Sequence, residues 1–340
     1  MSKEELPQNK KREQIVEHVL LIGTGAIGIL HGYLLEKSGK IKVTAICRSN
    51  YDTMKDSGIT IKSSSFGSCI WRPHRVMRSI EEASDREYNY AVCAFKCLPD
   101  VIPTERVLGE VLTRVKCVVL LQNGVGIERS LQMARPDIPI ISGIVWVGVN
   151  IRDNILVHED FEKLYIGIYK NVHGRNNAEL VNHFAELMGR EQEYVIVKEH
   201  IQQSRWHKLL WNATFNTLAT LSGLPMRRLM RGVGVLPIAK SIMDEIAATA
   251  AAIGIDLPEE TISDSLDMTM KYYGDIGDDK SEEDFKPSML IDYEMNRPME
   301  IECILGEVVR MAGMYRVPVP HIELAYFILK IKQVSLVGAV

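Results

Sequence analysis

The 340-residue chain is 46% hydrophobic and 25% charged, with a formal net charge of −4. That length supports two ordinary domains with buried cores, and the composition is that of a globular protein. The charge balance excludes an electrostatic case for nucleic acid or an anionic membrane as partner.

Residues 1–16 read as a flexible tail. Their "MSKEELPQNKKREQ" mixes both signs of charge without the apolar stretch of a secretory signal, and Glu4, Glu5 and Glu13 make it too acidic for an organelle transit peptide. No later apolar run reaches the length of a bilayer span. Six cysteines (Cys47, Cys69, Cys93, Cys97, Cys117 and Cys303) are scattered, and none of their spacings completes a zinc site. They read as reduced thiols of a cytoplasmic protein, and no metal is expected.

From 17 to 195, apolar runs alternate with helix-length segments: "HVLLIG", "KVTAIC", "YAVCAFK", "CVVLLQN" and "PIISGIVWVGV". Runs of this kind belong to parallel strands covered on both faces, so the expected class is α/β with a doubly wound sheet. "ILVHEDFEKLYIGIY" then predicts an antiparallel pair of strands, and "GRNNAELVNHFAELMGR" an amphipathic helix. From 196 to 335 the pattern is helical almost throughout, an all-α domain broken by "SGLP", "GIDLP", "YRVPVP" and an acidic surface loop at 275–284. A cleft between the domains is the expected place for a ligand.

"HVLLIGTGAIGILHGYLLEKSG" sets Gly23, Gly25 and Gly28 after a strand and at the opening of a helix, with a second strand about twenty residues on. Gly23 allows the tight turn, Gly25 lets a pyrophosphate reach the backbone, and Gly28 lets helix pack on strand. The helix N-terminus adds N–H groups and a partial positive charge. The first domain is therefore expected to be Rossmann-like. Where an NAD site usually presents Asp or Glu to the ribose, "AICRSN" offers Arg48, which suits a 2′-phosphate with help from Ser49 and Asn50. NADP(H) is the expected cofactor. Lys96, ending "YAVCAFK", and Asn123, in "LLQNGVG", stand at carboxyl ends of strands, where such folds bind ligands.

In the second domain, "RWHKLLWNATFN" places Lys208, Asn212 and Asn216 four residues apart, on one face of a helix. Leu209, Leu210, Trp211, Ala213 and Phe215 between them imply burial. A lysine there costs desolvation and two carboxamides need partners, so something polar must meet this face, a substrate or a neighbouring helix. Further on, Ser288 is placed to cap a helix N-terminus. Glu300, in the apolar run "MEIECILG", is either paired or functional.

Taken together these segments resemble the ketopantoate reductase (2-dehydropantoate 2-reductase) family. The likeness runs from His18 to Lys330 and rests on "GTGAIG", Arg48, "FK" at Lys96, "QNGVG", "WHKLLWNATFN", "PSMLIDYEMNRPMEIECILGEVV" and "GMYRVPVP", in matching order and spacing. It implies a Rossmann domain joined to a helical one, with NADPH-dependent reduction of a 2-oxo acid in the cleft. That acid would be ketopantoate, in pantothenate and coenzyme A biosynthesis. By position, the resemblance implies catalysis at Lys208 and Glu300. It implies cofactor contacts at Gly23, Thr24, Gly25, Ala26, Ile27, Gly28, Arg48, Lys96, Asn123 and Val149, and substrate contacts at Asn123, Asn212, Asn216 and Ser288. It also allows a homodimer. In the chemistry expected, Lys208 stabilises charge on the ketone oxygen and donates the proton, its pKa lowered by burial against an opposing pull from Glu300.

Departures from the family pattern fall near the substrate. Phe285 stands where an asparagine is common, Asn296 replaces a glycine before "RP", "EIE" at Glu300 to Glu302 replaces "EID", and Val145, Trp146 and Val147 stand where threonines are frequent. Bulky apolar groups there fit a substrate larger or less polar than ketopantoate. Two alternatives follow: a paralogous reductase of another 2-oxo acid or ketone, and a non-catalytic NADP(H) sensor. Loss of Lys208 or Glu300 would mark the sensor, and both are present.

Overall fold

The computed structural model describes residues 16–170, 172, 176–189, 193–274 and 284–337. The tail at 1–15 and the acidic segment at 275–283 lie outside those residues. The first part contains β1 (Glu17–Ile22), α1 (Ala26–Lys37), β2 (Ile41–Ile46), α2 (Tyr51–Asp56), β3 (Ile59–Ser63), β4 (Gly67–Trp71), β5 (Arg75–Met77), β6 (Tyr88–Cys93), α3 (Thr104–Leu108), β7 (Val115–Leu120), α4 (Arg129–Ala134), β8 (Ile140–Arg152), β9 (Ile155–Ile168), α5 (Asn177–Leu187) and β10 (Val195–Val197). The second part is helical: α6 (Ile201–Trp211), α7 (Thr217–Ser222), α8 (Met226–Met230), α9 (Val235–Ala252), α10 (Thr261–Tyr273), α11 (Ser288–Glu294), α12 (Glu307–Tyr315) and α13 (Pro320–Val337).

The ten strands form one sheet in the order β4-β3-β9-β8-β7-β6-β1-β2-β5, with β10 beside β9. Its centre is parallel, as the apolar runs predict: Val19, Leu20 and Leu21 of β1 are fully buried because elements cover both faces. The flank is not. Residues 155–168 form one long strand rather than a pair, antiparallel to β8. Asp153 (φ 49) and Asn154 (φ 60) make the tight hairpin between them, two left-handed residues that Asp and Asn tolerate. The β3–β4 hairpin and β5 went unread in the sequence, their alternation being weak and their lengths short; β3 joins the far edge of β9.

Cores do not follow the two halves. One face of the sheet (Leu20, Leu120, Val125) shares a continuous core with Trp206, Leu209, Ile304 and Leu329 of the helical part. Leu209 and Leu210 are 1% and 0% exposed, and burying one such side chain is worth roughly 2 kcal/mol. That packing fixes α6 against the loop after β7 and the first half of β8. A second core lies on the opposite face, under α1 and α5. Among the described residues, no helix is long and apolar enough to cross a membrane.

Candidate active site

Chain order reverses between β1 and β6, and sheets of this kind form a ligand crevice at the carboxyl ends there. The turn after β1 is pressed into it. Gly23 takes φ +95, and a Cβ on it would lie 2.5 Å from the Phe95 nitrogen; a Cβ on Gly28 would lie 1.9 Å from the Gly23 oxygen. Neither position admits a side chain. Gly25 is open instead, with nothing within 4 Å of where its Cβ would stand, and α1 begins directly after it. That open side, with the first N–H groups of α1 and the positive end of its dipole, fits a dinucleotide pyrophosphate. Thr24 Oγ1 donates to Asn50 Oδ1 at 2.9 Å and Asn50 Nδ2 to the Thr24 oxygen at 3.0 Å, tying the glycine turn to the loop after β2. Arg48 stands exposed in that loop, while Asp52, the nearest acid in sequence, is held by Arg78 at 2.7 Å.

Lys208 reaches from α6 to the loop after β7 and to the middle of β8. Its Nζ donates to Asn123 Oδ1 at 2.9 Å and to the Val145 oxygen at 2.6 Å. Asn123 Nδ2 donates onward to Glu300 Oε2 at 3.4 Å, and Glu300 Oε1 accepts the Cys97 N–H at 2.9 Å. Burial lowers the Lys208 pKa from 10.5 to about 8; the Arg205 charge pushes the same way, and Glu300 and Glu162 pull against them. An ammonium has three donors, so with two engaged the third is left for a carbonyl oxygen. A small recess lies at this point, lined by Gln122, Asn123, Gly124, Ile144, Arg205, Lys208, Leu209 and Asn212. Asn216 is buried too, and its Oδ1 has no partner among the described residues.

The straight helix expected through this stretch does not persist, because Asn212–Asn216 form a π-turn. Its extra residue counters the drift that four-residue spacing accumulates on an α-helix. A second π-turn, Glu302–Gly306, follows Glu300 and packs against the first. Such turns are frequent at functional sites. Within the second, the Cys303 oxygen accepts the Val125 N–H at 2.8 Å. A Cβ on Gly124 would lie 2.4 Å from that oxygen, so the glycine after Asn123 is what lets the loop lie against the turn.

Sequence reasoning missed the brace beneath this group. Arg205, one turn before Lys208, is 3% exposed. Its Nη1 donates to the Gln122 and Gly124 oxygens at 3.0 and 2.9 Å, on either side of Asn123. Nη2 donates to the Gly143 oxygen at 3.1 Å and to Ser142 Oγ at 2.6 Å, and Nε faces Glu128 Oε1 at 3.1 Å. The place of Arg205 one turn before Lys208, between Ile201 and the apolar Leu209 and Leu210, was the available signal. The Val145 carbonyl gave none, since backbone acceptors leave no mark in a sequence.

Among the other expected residues, Lys96 joins this group through Glu300, and the rest face elsewhere. Lys96 is directed at the helical domain, with Nζ 2.6 Å from Asp292 Oδ2 and 3.5 Å from Glu300 Oε2. Desolvation works against its charge, but the two carboxylates outweigh it and hold its pKa above the ordinary value. Ser288 makes no cap: Pro287 takes that position and Ser288 is the exposed first residue of α11. Val149 lies past a bulge at Val147/Gly148, paired with His158 in the sheet. Asn296 takes φ 53, a conformation that suits glycine and that asparagine tolerates. Glu302 is engaged by α13, accepting from Tyr326 at 2.9 Å and pairing with Lys330 at 2.8 Å.

A Rossmann-like domain with a glycine cradle, and a buried lysine linked through an asparagine to a glutamate, define a nicotinamide-dependent oxidoreductase. Family models bear this out: residues 19–171 match ketopantoate reductase PanE/ApbA, and residues 200–333 its C-terminal domain. The chain belongs to the ketopantoate reductase family. It is 30% identical to an uncharacterized protein of Saccharomyces cerevisiae, covering 94% of this chain and 95% of that one. It is 26% identical to the 2-dehydropantoate 2-reductase of a Nostoc species, covering 91% and 93%. Among solved structures, the 2-dehydropantoate 2-reductase of Methylococcus capsulatus is 33% identical with a TM-score of 0.77, covering 95% and 99%.

Proposed function

We propose that the chain reduces a 2-oxo acid to the 2-hydroxy acid with NADPH, in the crevice between the glycine turn and α6. The observation that carries this reading is the Lys208–Asn123–Glu300 chain at the carboxyl ends of the strands. When bound, the nicotinamide would supply the hydride for the carbonyl carbon. Lys208 stabilises the charge growing on the carbonyl oxygen through its free N–H and donates the proton. With a pKa of about 8, the ammonium keeps its proton at neutral pH yet is a stronger acid than an ordinary lysine. Glu300 acts through Asn123 to hold that ammonium in orientation. Asn212 and Asn216 offer carboxamides to the substrate carboxylate or hydroxyl, with Ser288 at the rim. Gly23 to Gly28 would cradle the pyrophosphate, and Arg48 supports NADP(H) over NAD(H).

The names of the Nostoc and Methylococcus relatives support 2-dehydropantoate as substrate, which would place the reaction in pantothenate and coenzyme A biosynthesis. A second reading, another 2-oxo acid, is favoured by Trp146 beside Lys208. Six free cysteines support a cytoplasmic setting. The exposed Leu324, Phe327, Ile331 and Val334 of α13 support a homodimer. The test is NADPH oxidation by the purified protein with ketopantoate and other 2-oxo acids. Lys208→Ala should lower turnover by about 10²–10⁴ and leave NADPH binding intact. Loss of both together would refute the role given to Lys208.

A further inference from the structure

We infer that the substrate is a 2-oxo acid with an aromatic side chain, bound against the Trp146 ring beside Lys208. This deepens the reading of the site as a 2-oxo acid reductase and rests on it.

One ring lies beside Lys208, and a cluster of rings begins one turn further along α6. The Trp146 ring lies 5.8 Å from Lys208 Nζ and meets His207 with ring centroids 6.2 Å apart. Trp146 directly follows Val145, whose oxygen holds the Lys208 ammonium, so strand β8 fixes the indole and the proton donor together. Trp211, on the next turn of α6, meets Phe285 at 6.4 Å, and Phe285 stacks on Tyr273 at 5.6 Å and 20°. Trp211 Nε1 already donates to Thr269 Oγ1 at 3.1 Å, and Phe285 has no polar atom to offer.

Polar and apolar groups are thus segregated. Hydrogen-bonding groups line the recess where the carbonyl and carboxylate would sit, at Lys208, Asn123 and Asn212. Beside Lys208 lies the Trp146 ring, and one turn further along α6 the Trp211–Phe285–Tyr273 cluster begins, in which Phe285 keeps 46% of its surface exposed. A hydroxyl laid on that surface gives up water without gaining a partner. An aromatic ring gains apolar contact and edge or offset stacking there. The wall therefore selects a flat apolar side chain over a branched hydroxylated one.

Initial rates of NADPH oxidation are compared for phenylpyruvate, phenylglyoxylate, ketopantoate and pyruvate. Wild-type kcat/KM should favour an aromatic acid over ketopantoate by about tenfold or more. In Trp146→Ala the ratio of aromatic-acid to pyruvate kcat/KM should collapse, mainly through KM, and Trp146→Phe should restore much of it. NADPH fluorescence on binding shows whether each variant is folded, and if Trp146→Ala is not, the wild-type panel alone decides. A wild-type preference for ketopantoate, or an equal loss on every acid in Trp146→Ala, overturns the inference and leaves the reductase reading standing. Failure of all four acids to consume NADPH would overturn both.

Discussion

Replacing Arg205 by methionine tests whether the site depends on the brace beneath it. The guanidinium and the Glu128 carboxylate are 3% and 0% exposed. Without the arginine, Glu128 keeps only Ser142 Oγ at 2.7 Å and Gln202 Nε2 at 2.9 Å, and the Gln122, Gly124 and Gly143 oxygens each lose a donor. Breaking a buried ion pair by removing one partner costs about 3–5 kcal/mol. A protein of ordinary stability has about 5–15 kcal/mol in all, so the loss should be plain in urea unfolding followed by tryptophan fluorescence. The double variant Arg205→Met/Glu128→Leu removes both charges and should recover most of the loss, because an apolar pair of similar volume leaves no stranded carboxylate. Turnover should fall in both variants, since Asn123 sits between two of the released carbonyls. A destabilisation below about 1 kcal/mol, or a double variant equal to the sum of the singles, would refute the brace.

The depressed Lys208 pKa sets a pH profile: the acid role needs the proton, so kcat/KM should fall as pH rises through about 8, and a limb waiting until near 10.5 would show that Lys208 is not the acid. The same shift means that the folded state binds fewer protons than the unfolded between those values, so this group's contribution to stability rises with pH across that window. Arg48→Glu should weaken NADPH binding far more than NADH binding, measured by fluorescence titration; an equal effect on both would place the 2′-phosphate elsewhere. Phe327→Glu with Ile331→Glu, at two exposed positions of α13, should convert a homodimer to monomer by sedimentation or light scattering. An unchanged mass would show that this face does not pair the subunits.

Much of the first domain was legible because its signals are local. Continuous apolar runs marked β1, β2, β6, β7 and β8, and three glycines between the first two marked the cradle. Their meaning depends on spacing within some twenty residues, which the chain displays directly. The four-residue spacing of Lys208, Asn212 and Asn216 likewise announced a polar face in a buried helix. The single β9 strand was misread as two because alternation shows a strand but not its partner. The β3–β4 hairpin was too weakly patterned to show.

The sequence by itself determined which residues are proposed to carry the chemistry: the glycine turn, Arg48, Asn123, Lys208 and Glu300. Only the tertiary structure decided how they act. Lys208 meets Asn123 across 85 residues, and Asn123 meets Glu300 across 177. The Val145 oxygen, the Arg205 brace and the two π-turns have no local signature, because partner choice and desolvation depend on what packs against a group from distant parts of the chain. That packing is also what lowers the Lys208 pKa from 10.5 to about 8.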